Sequence, residues 1–267
     1  TNDLAWGDHG KIDFSSVTIA YDGNPVLREI TLTIKPGEHI GIVGRTGAGK
    51  STMINGLFRL VNLDSGRITI DGVDVSKVGL HDLRRRLTIM PQNPQLFTGN
   101  IRSNLDPYGL KSDDEIYRAL RDVKLLDRLD NNLYTEVTQG GANFSAGERQ
   151  LICLARAILS QTKILLLDEA TASLDAETDR ITHSVIDEKF SSSTVITVAH
   201  RLDTIIKCDR VLVLDSGSVI EFDEPHILLQ KKAGHFYDFV NQAKGSGSEH
   251  LHRMAREAYY NRRSSTI

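Results

Sequence analysis

Eight consecutive residues constrain this chain more than any others. Gly44-Arg45-Thr46-Gly47-Ala48-Gly49-Lys50-Ser51 fits the phosphate-loop pattern GxxxxGK[ST]. It stands between the apolar run Ile40-Gly41-Ile42-Val43 and a helical pattern from Ser51 to Leu60. Glycines let backbone N–H groups converge on phosphate oxygens, and the helix N-terminus adds positive potential. Lys50 then reaches the outer phosphates and Ser51 offers a hydroxyl to Mg²⁺. Gly44, Thr46, Gly47, Ala48, Gly49, Lys50, Ser51 and Thr52 are the expected nucleotide-binding set, against the alternative of a glycine-rich turn that only packs.

A strand, loop and helix of this kind need a sheet around them. Leu87 to Met90, Ile164 to Leu167, Thr194 to Ala199 and Val211 to Leu214 read as further strands between helical segments, which predicts a mostly parallel sheet covered on both faces. Lys11 to Ala20 and Ile30 to Ile34 alternate apolar and polar residues around the turn-like Asp22-Gly23-Asn24-Pro25, which predicts an antiparallel layer. Residues from about 100 to 159 read as mainly helical, with capping boxes at Ser112/Glu115 and Ser145/Glu148. The expected fold class is therefore α/β: a P-loop NTPase core with a mostly parallel sheet, an N-terminal antiparallel β layer and an inserted α-helical subdomain.

Hydrophobic residues at 40% and charged residues at 25% are ordinary for a globular chain, so disorder over most of the length is not expected. A net charge of -3 supplies no general basic field, so no nucleic-acid partner is expected and phosphate must be held locally. Cys153 and Cys208 lie in unrelated apolar stretches without metal-ligand spacing and read as small buried hydrophobes, suited to a reducing cytosol. No apolar stretch approaches the roughly 20 residues that span a bilayer, and the amino terminus lacks a signal peptide's apolar core, so membrane association is expected only through a partner.

The strand Ile164-Leu165-Leu166-Leu167 leads into Asp168-Glu169. Carboxylates at a strand's C-terminal edge beside a phosphate loop suit Mg²⁺ and water chemistry. Asp168 would hold the metal, and Glu169 would orient or deprotonate the water that attacks the γ-phosphorus. Two acids after a strand also make a solvated turn or a helix cap, and that alternative stays open on these residues alone.

The run Asn143-Phe144-Ser145-Ala146-Gly147-Glu148-Arg149-Gln150 lies shortly before the acidic strand. It resembles the signature sequence of ATP-binding cassette proteins, usually written LSGGQ, and the phosphate loop, signature and acidic strand occur in that family's order. The resemblance extends from Ile12 to about Gln242. It implies an ATPase working with ATP and Mg²⁺ at the cytosolic face of a membrane, in a head-to-tail dimer with a second nucleotide-binding domain and attached to transmembrane domains. It further implies that Tyr21 stacks on adenine and that Gln92 meets Mg²⁺ and the attacking water. Asp175, in Ser173-Leu174-Asp175, would cross the dimer interface, and His200 would contact the γ-phosphate. By themselves Tyr21 is a routine strand tyrosine and His200 a structural histidine. Glu169, His200, Gln92 and Lys50 form the expected catalytic group, and Ser51, Gln92 and Asp168 the expected metal group.

Gly79-Leu80-His81-Asp82-Leu83-Arg84, Asn104-Leu105-Asp106-Pro107 and Cys153-Leu154-Ala155-Arg156-Ala157, with the phosphate loop, resemble the second nucleotide-binding domain of C-subfamily exporters, the multidrug-resistance-associated proteins. Thr135 to Gly141 resembles the loop that touches the coupling helices of the membrane domains. The resemblance also admits a nucleotide-gated channel or regulatory subunit of the same subfamily. A soluble cassette of DNA repair or translation is disfavoured, because the interval from phosphate loop to signature is only about ninety residues and holds no long coiled coil.

The signature departs from its pattern: Phe144 replaces Leu, Ala146 the first Gly and Glu148 Gln. In the family, the residues at Ser145, Ala146, Gly147 and Glu148 act in trans on the ATP of the opposite domain. A side chain at 146 would crowd that approach. Glu148 either adds negative charge near phosphate or, as the third residue after Ser145, completes the helix cap. The resemblance implies an asymmetric pair in which this chain supplies the phosphate loop and glutamate of the competent site, and its altered signature completes the weaker one.

The domain is expected to occupy 1–244, followed at 245–267 by a flexible Gly-Ser linker and a tail with a short helix around His252 to Tyr260. Ser265-Thr266-Ile267 has the form a PDZ domain could capture, and Arg262-Arg263-Ser264-Ser265 that of a basophilic kinase site.

Overall fold

Burial alternates along β1 (Ile12–Tyr21) and β2 (Asn24–Ile34), and the two pair antiparallel with Ile12 opposite Ile34. The turn is tighter than its residues suggest, since Asn24 and Pro25 already belong to β2 and only Asp22-Gly23 reverses the chain. The central strand β3 (His39–Val43) is buried over its last four residues and runs into the phosphate loop and α1 (Lys50–Leu57). The computed structural model describes residues 6–168, 175–198, 201–242 and 246–264.

β4 (Ser65–Ile70) and β5 (Val73–Asp74) complete an antiparallel sheet of order β2-β1-β4-β5. After α2 (Leu80–Arg86) comes β6 (Leu87–Met90), and then an antiparallel strand pair of β7 (Gly99–Asn100) and β8 (Glu136–Val137) that brackets α3 (Ile101–Leu105) and α4 (Asp113–Asp122). The 15-residue α5 (Ala146–Ser160) leads to β9 (Ile164–Asp168), α6 (Ala176–Lys189) and β10 (Thr194–Val198). α7 (Leu202–Ile205), β11 (Arg210–Asp215) and β12 (Ser218–Asp223) follow.

The second sheet has the order β12-β11-β3-β10-β9-β6, parallel except for the edge strand β12. Its inner strands are apolar along their length because both faces are covered. One apolar cluster joins the antiparallel sheet and α1 to one face of this sheet, through Phe14, Met53, Leu57, Ile42 and Ile196. Another joins α3, α4, α5 and α6 to the other face, through Ile116, Leu120, Ile152, Leu154 and Leu165. The fold is thus α/β, with an antiparallel layer, a mostly parallel core and an inserted group of helices.

The end of the chain differs from its sequence expectation. Ser246–Ser264 form one 19-residue helix, α10, where a flexible linker and a short helix were expected. The Gly-Ser composition of 246–248 is overridden by burial: Leu251 and Ala255 enter a third cluster with Ile205, Val211, Leu228, Phe236 and Val240. Leu228 belongs to α8 (Pro225–Gln230), and Phe236 and Val240 to α9 (His235–Asn241). Ser265-Thr266-Ile267 lies outside the described residues.

Candidate functional site

The phosphate loop takes its shape from two neighbours. Gly49 is the N-cap of α1 at φ +104°, and a Cβ there would fall 2.6 Å from Leu27 Cδ2 and 3.2 Å from the Val26 carbonyl. Only glycine combines that dihedral with so close an approach by β2. Lys50 Nζ donates to the carbonyls of Gly44 at 2.5 Å and Arg45 at 3.2 Å, which folds the ammonium back over the loop. A surface pocket of about 230 Å³ is lined by Val26 and by Thr46 through Thr52. Ser51 is exposed at its rim, whereas Thr52 is buried beneath it.

Strand order brings the other candidates to the same edge. β3, β10, β9 and β6 are parallel, with Val198 opposite Asp168 and Met90 opposite Leu167. The loop after β3, Gln92 two residues beyond β6, and Asp168 at the end of β9 therefore all lie at the C-terminal edge of one sheet, where α/β folds bind ligands. Gln92 is exposed and Asp168 partly buried. Hydroxyl, amide carbonyl and carboxylate are all hard oxygen donors, which fits Mg²⁺, a cation commonly held by one or two carboxylates together with substrate phosphates. Tyr21 is 42% exposed at the end of β1, opposite Asn24, and Val26 two residues further along β2 lines the phosphate-loop pocket. Glu169, Ser173, Leu174 and His200 lie outside the described residues.

Ser145 is the N-cap of α5, accepting from the Glu148 N–H at 3.1 Å, while Glu148 Oε2 accepts from the Ser145 N–H at 2.8 Å. Of the two roles open to Glu148, the helix cap is the one its geometry fulfils. Its other oxygen meets Arg128 Nε at 2.8 Å, a contact twenty residues away that no local pattern announces. Phe144 is buried in the helical cluster, so an aromatic fills the space of the usual leucine. The two small residues of the signature differ sharply. Ala146 is exposed, whereas a Cβ on Gly147 would lie 2.8 Å from Thr178 Oγ1 and 3.2 Å from Asp175 Oδ2.

Asp175 caps α6, accepting from the N–H groups of Glu177 and Thr178 at 3.1 and 3.0 Å and from Thr178 Oγ1 at 2.7 Å. The Thr178 N–H, then its hydroxyl, hold the Asp175 carboxyl below the ordinary aspartate range. One turn on, Asp179 pairs with Arg201 at 3.0 Å, which also binds Asp203 at 2.8 Å. The residue after His200 is thereby tied to the start of α6. Burial pushes the Cys208 thiol up to about 12 and raises that of Cys153 as well, in keeping with small buried hydrophobes.

Two phrases about fifty residues apart in the chain meet in space. Arg156 on α5 donates to the Asn104 carbonyl at 2.6 Å and to Asn104 Oδ1 at 2.7 Å, and Asn104 exchanges hydrogen bonds with the backbone of Phe97 at 2.8 and 2.9 Å. The β7-β8 pair then sets the segment after Gln92 beside 135–141, and Asn143 fastens that segment to the signature through Thr138 N–H at 3.0 Å and the Glu136 carbonyl at 2.8 Å. Phe97 and Tyr134, 70% and 66% exposed, stand next to this strand pair.

Comparison with known proteins bears on the family and the fold. Residues 27–172, more than half of the chain, match the family model described as "ABC transporter". The chain is 48% identical over 255 residues to ABC transporter C family member 3 of Dictyostelium discoideum, covering 94% of this chain and 18% of that protein. It is 47% identical over 263 residues to ATP-binding cassette sub-family C member 4 of Homo sapiens, covering 97% and 20%. The chain thus spans about a fifth of the length of these relatives. A bacterial Atm1-family ABC exporter solved with ATP bound superposes with a TM-score of 0.82 at 34% identity, over 90% of this chain and 43% of that one.

Proposed function

The chain belongs to the ABC transporter family, with C-subfamily relatives, and from that premise we propose that it binds and hydrolyses Mg-ATP in a head-to-tail dimer with a second nucleotide-binding domain. The dimer powers export by transmembrane domains attached at the cytosolic face of a membrane. The observation that carries this reading is the shared sheet edge, where the phosphate loop, Gln92 and Asp168 converge on a loop whose Lys50 is poised over its own carbonyls.

In this reading the N–H groups of Gly47 to Thr52 and the start of α1 grip the phosphates, and Lys50 exchanges its carbonyl partners for phosphate oxygens. Tyr21 supports the adenine. Ser51, Gln92 and Asp168 would hold Mg²⁺, which when bound neutralises phosphate charge. Glu169 accepts a proton from the attacking water as it approaches the γ-phosphorus in line, and His200 donates to the γ-phosphate. Ser145, Ala146, Gly147 and Glu148 face the partner domain's nucleotide. With Glu148 engaged by Ser145 and Arg128, its charge is partly compensated before any phosphate arrives. The surface around Phe97 and Tyr134, joined by the β7-β8 pair, is the one offered to the membrane domains, since solvent-exposed aromatics beside the Gln92 loop would report nucleotide state.

ATP turnover measured against concentration for this chain and for Glu169→Gln, with nucleotide titration on the same samples, tests the reading. Turnover rising faster than linearly and lost in the variant is expected if two copies form a working pair. Tight binding with scant turnover would point to the asymmetric pair, in which a standard signature must come from another domain. Absence of nucleotide binding would overturn the proposal.

A further inference from the structure

α10 is held to the rest of the chain by contacts that the nucleotide chemistry leaves unused. Leu251 and Ala255 bury into the third cluster, and Arg262 ties the last turn to the carbonyls of Lys207 at 3.2 Å and Cys208 at 3.0 Å and to Asp209 Oδ1 at 3.0 Å. Arg263 forks onto both oxygens of Glu224, the N-cap of α8, at 3.0 Å each. These ion pairs are partly exposed, so water competes for them and the clasp is weak. One imidazole belongs to the same contact: His226, in the first turn of α8, is half-buried with its ring centre 4.8 Å from that of Tyr259 and 6.1 Å from that of Tyr260, both on α10.

The surroundings of His226 suit a neutral ring. Gln230 Nε2, an amide nitrogen that only donates, lies 3.1 Å from His226 Nε2, a bond that only an unprotonated ring nitrogen accepts. The charged and titratable groups that reach it from α10, besides the two tyrosines, are Arg256, Arg263 and His252. On its own helix stands Glu224, whose carboxylate Arg263 already engages. The face of Tyr259, which would attract an imidazolium, is taken by the Arg263 guanidinium 3.6 Å from the ring centre. Burial, and then Arg256, accordingly push the His226 imidazole below the ordinary histidine value.

We propose that His226 makes the α10 clasp pH-sensitive: docking requires the neutral imidazole, and mild acidification opens the helix away from α8 and α9 while the rest of the fold persists. A proton on His226 removes the Gln230 bond and sets a cation among Arg256, Arg263 and His252, so the undocked state binds the proton more tightly. Docking is therefore at full strength above the ordinary histidine value of about 6.5 and weakens as pH falls from there toward the depressed docked value. At about pH 5.5 Glu224, held below the ordinary glutamate range by Arg263, keeps its charge, so its ion pair does not account for the change. The effect is bounded, because one unit below the ordinary value protonation of an undocked imidazole weakens docking by at most about ten-fold. Opening uncovers Leu228, Phe236 and Val240 and releases the loop between α7 and β11 from Arg262.

Amide hydrogen exchange of the full chain at about pH 7.5 and about pH 5.5, converted to protection factors so that the intrinsic pH dependence of exchange cancels, tests this. Protection over 251–262 is expected to fall about three- to ten-fold on acidification while β3 and β10 keep theirs. His226→Gln, which leaves a neutral hydrogen-bonding side chain, should abolish the fall, and Arg256→Gln, which removes a repelling cation, should shrink it. In the parent chain the His226 ring resonance, assigned by its absence from His226→Gln, should titrate below the ordinary value. Protection over 251–262 that does not change with pH, a fall that survives in His226→Gln, a fall shared equally by β3 and β10, or a His226 resonance titrating at or above the ordinary value would each overturn the proposal.

Discussion

At the scale of single residues, the two small positions of the signature carry different constraints. Gly147 is pressed against Thr178 and Asp175, and Thr178 cannot rotate away without giving up its bond to the Asp175 cap. Gly147→Ala is therefore expected to destabilise by about 1–2 kcal/mol, overpacking outweighing the helix-propensity gain of an alanine. Ala146→Gly, at an exposed position of the first turn, should cost less than about 1 kcal/mol. Urea midpoints of the two variants check this, and a reversed order would remove the packing argument. Ala146 is thus a substitution that the chain's own fold accommodates, and any crowding it causes is felt by a partner. The phosphate loop was readable residue by residue, because its pattern encodes local backbone geometry. The ion pair of Glu148 with Arg128 was not, because it depends on how the helices pack.

At the scale of elements, α5 is more than the carrier of the signature. Its N-terminus holds the capping box and its middle turn holds Arg156, which satisfies the buried Asn104 that in turn shapes the segment after Gln92. Arg156→Ala strips two charge-assisted hydrogen bonds from Asn104 and is expected to cost about 2–3 kcal/mol. Beyond the shift in unfolding midpoint, amide exchange over 96–104 should rise more than exchange in β3; a uniform rise would mean that Arg156 supports only the global fold. Both capping boxes were legible from a serine and a glutamate three residues apart, and a third at Asn100/Ser103 was missed because serine, not glutamate, closes it. Helix ends are short-range chemistry, so sequence finds them well.

At the scale of the whole molecule, acid stability follows from the carboxylates that the fold engages. Glu115, bound first by the Ser112 N–H and then by its hydroxyl, titrates below the ordinary glutamate value, as does Glu224 beside the Arg263 guanidinium; Asp175 behaves likewise among aspartates. A depressed pKa means that the folded state binds fewer protons than the unfolded one, so the stabilisation is complete above the unfolded value and is lost as pH falls through the folded one. His226 is pushed down by burial and then by Arg256, and acts in the same sense at higher pH. The urea midpoint should therefore decline slightly as pH drops below about 6.5 and more steeply below about 4.3, the ordinary histidine and glutamate values. A midpoint that rose on acidification would contradict these contacts. The sequence by itself determined the first three strands and β6, β9, β10 and β11, the phosphate loop and the family, because hydrophobic period, glycine placement and caps act over a few residues; the short or edge strands β4, β5, β7, β8 and β12 escaped it. Only the tertiary structure decided that α10 docks, that Arg156 reaches Asn104, and that Glu148 is held by Arg128. Those outcomes turn on apolar area and charge brought together from distant parts of the chain, and burial of Leu251 and Ala255 outweighs the flexible composition that precedes them.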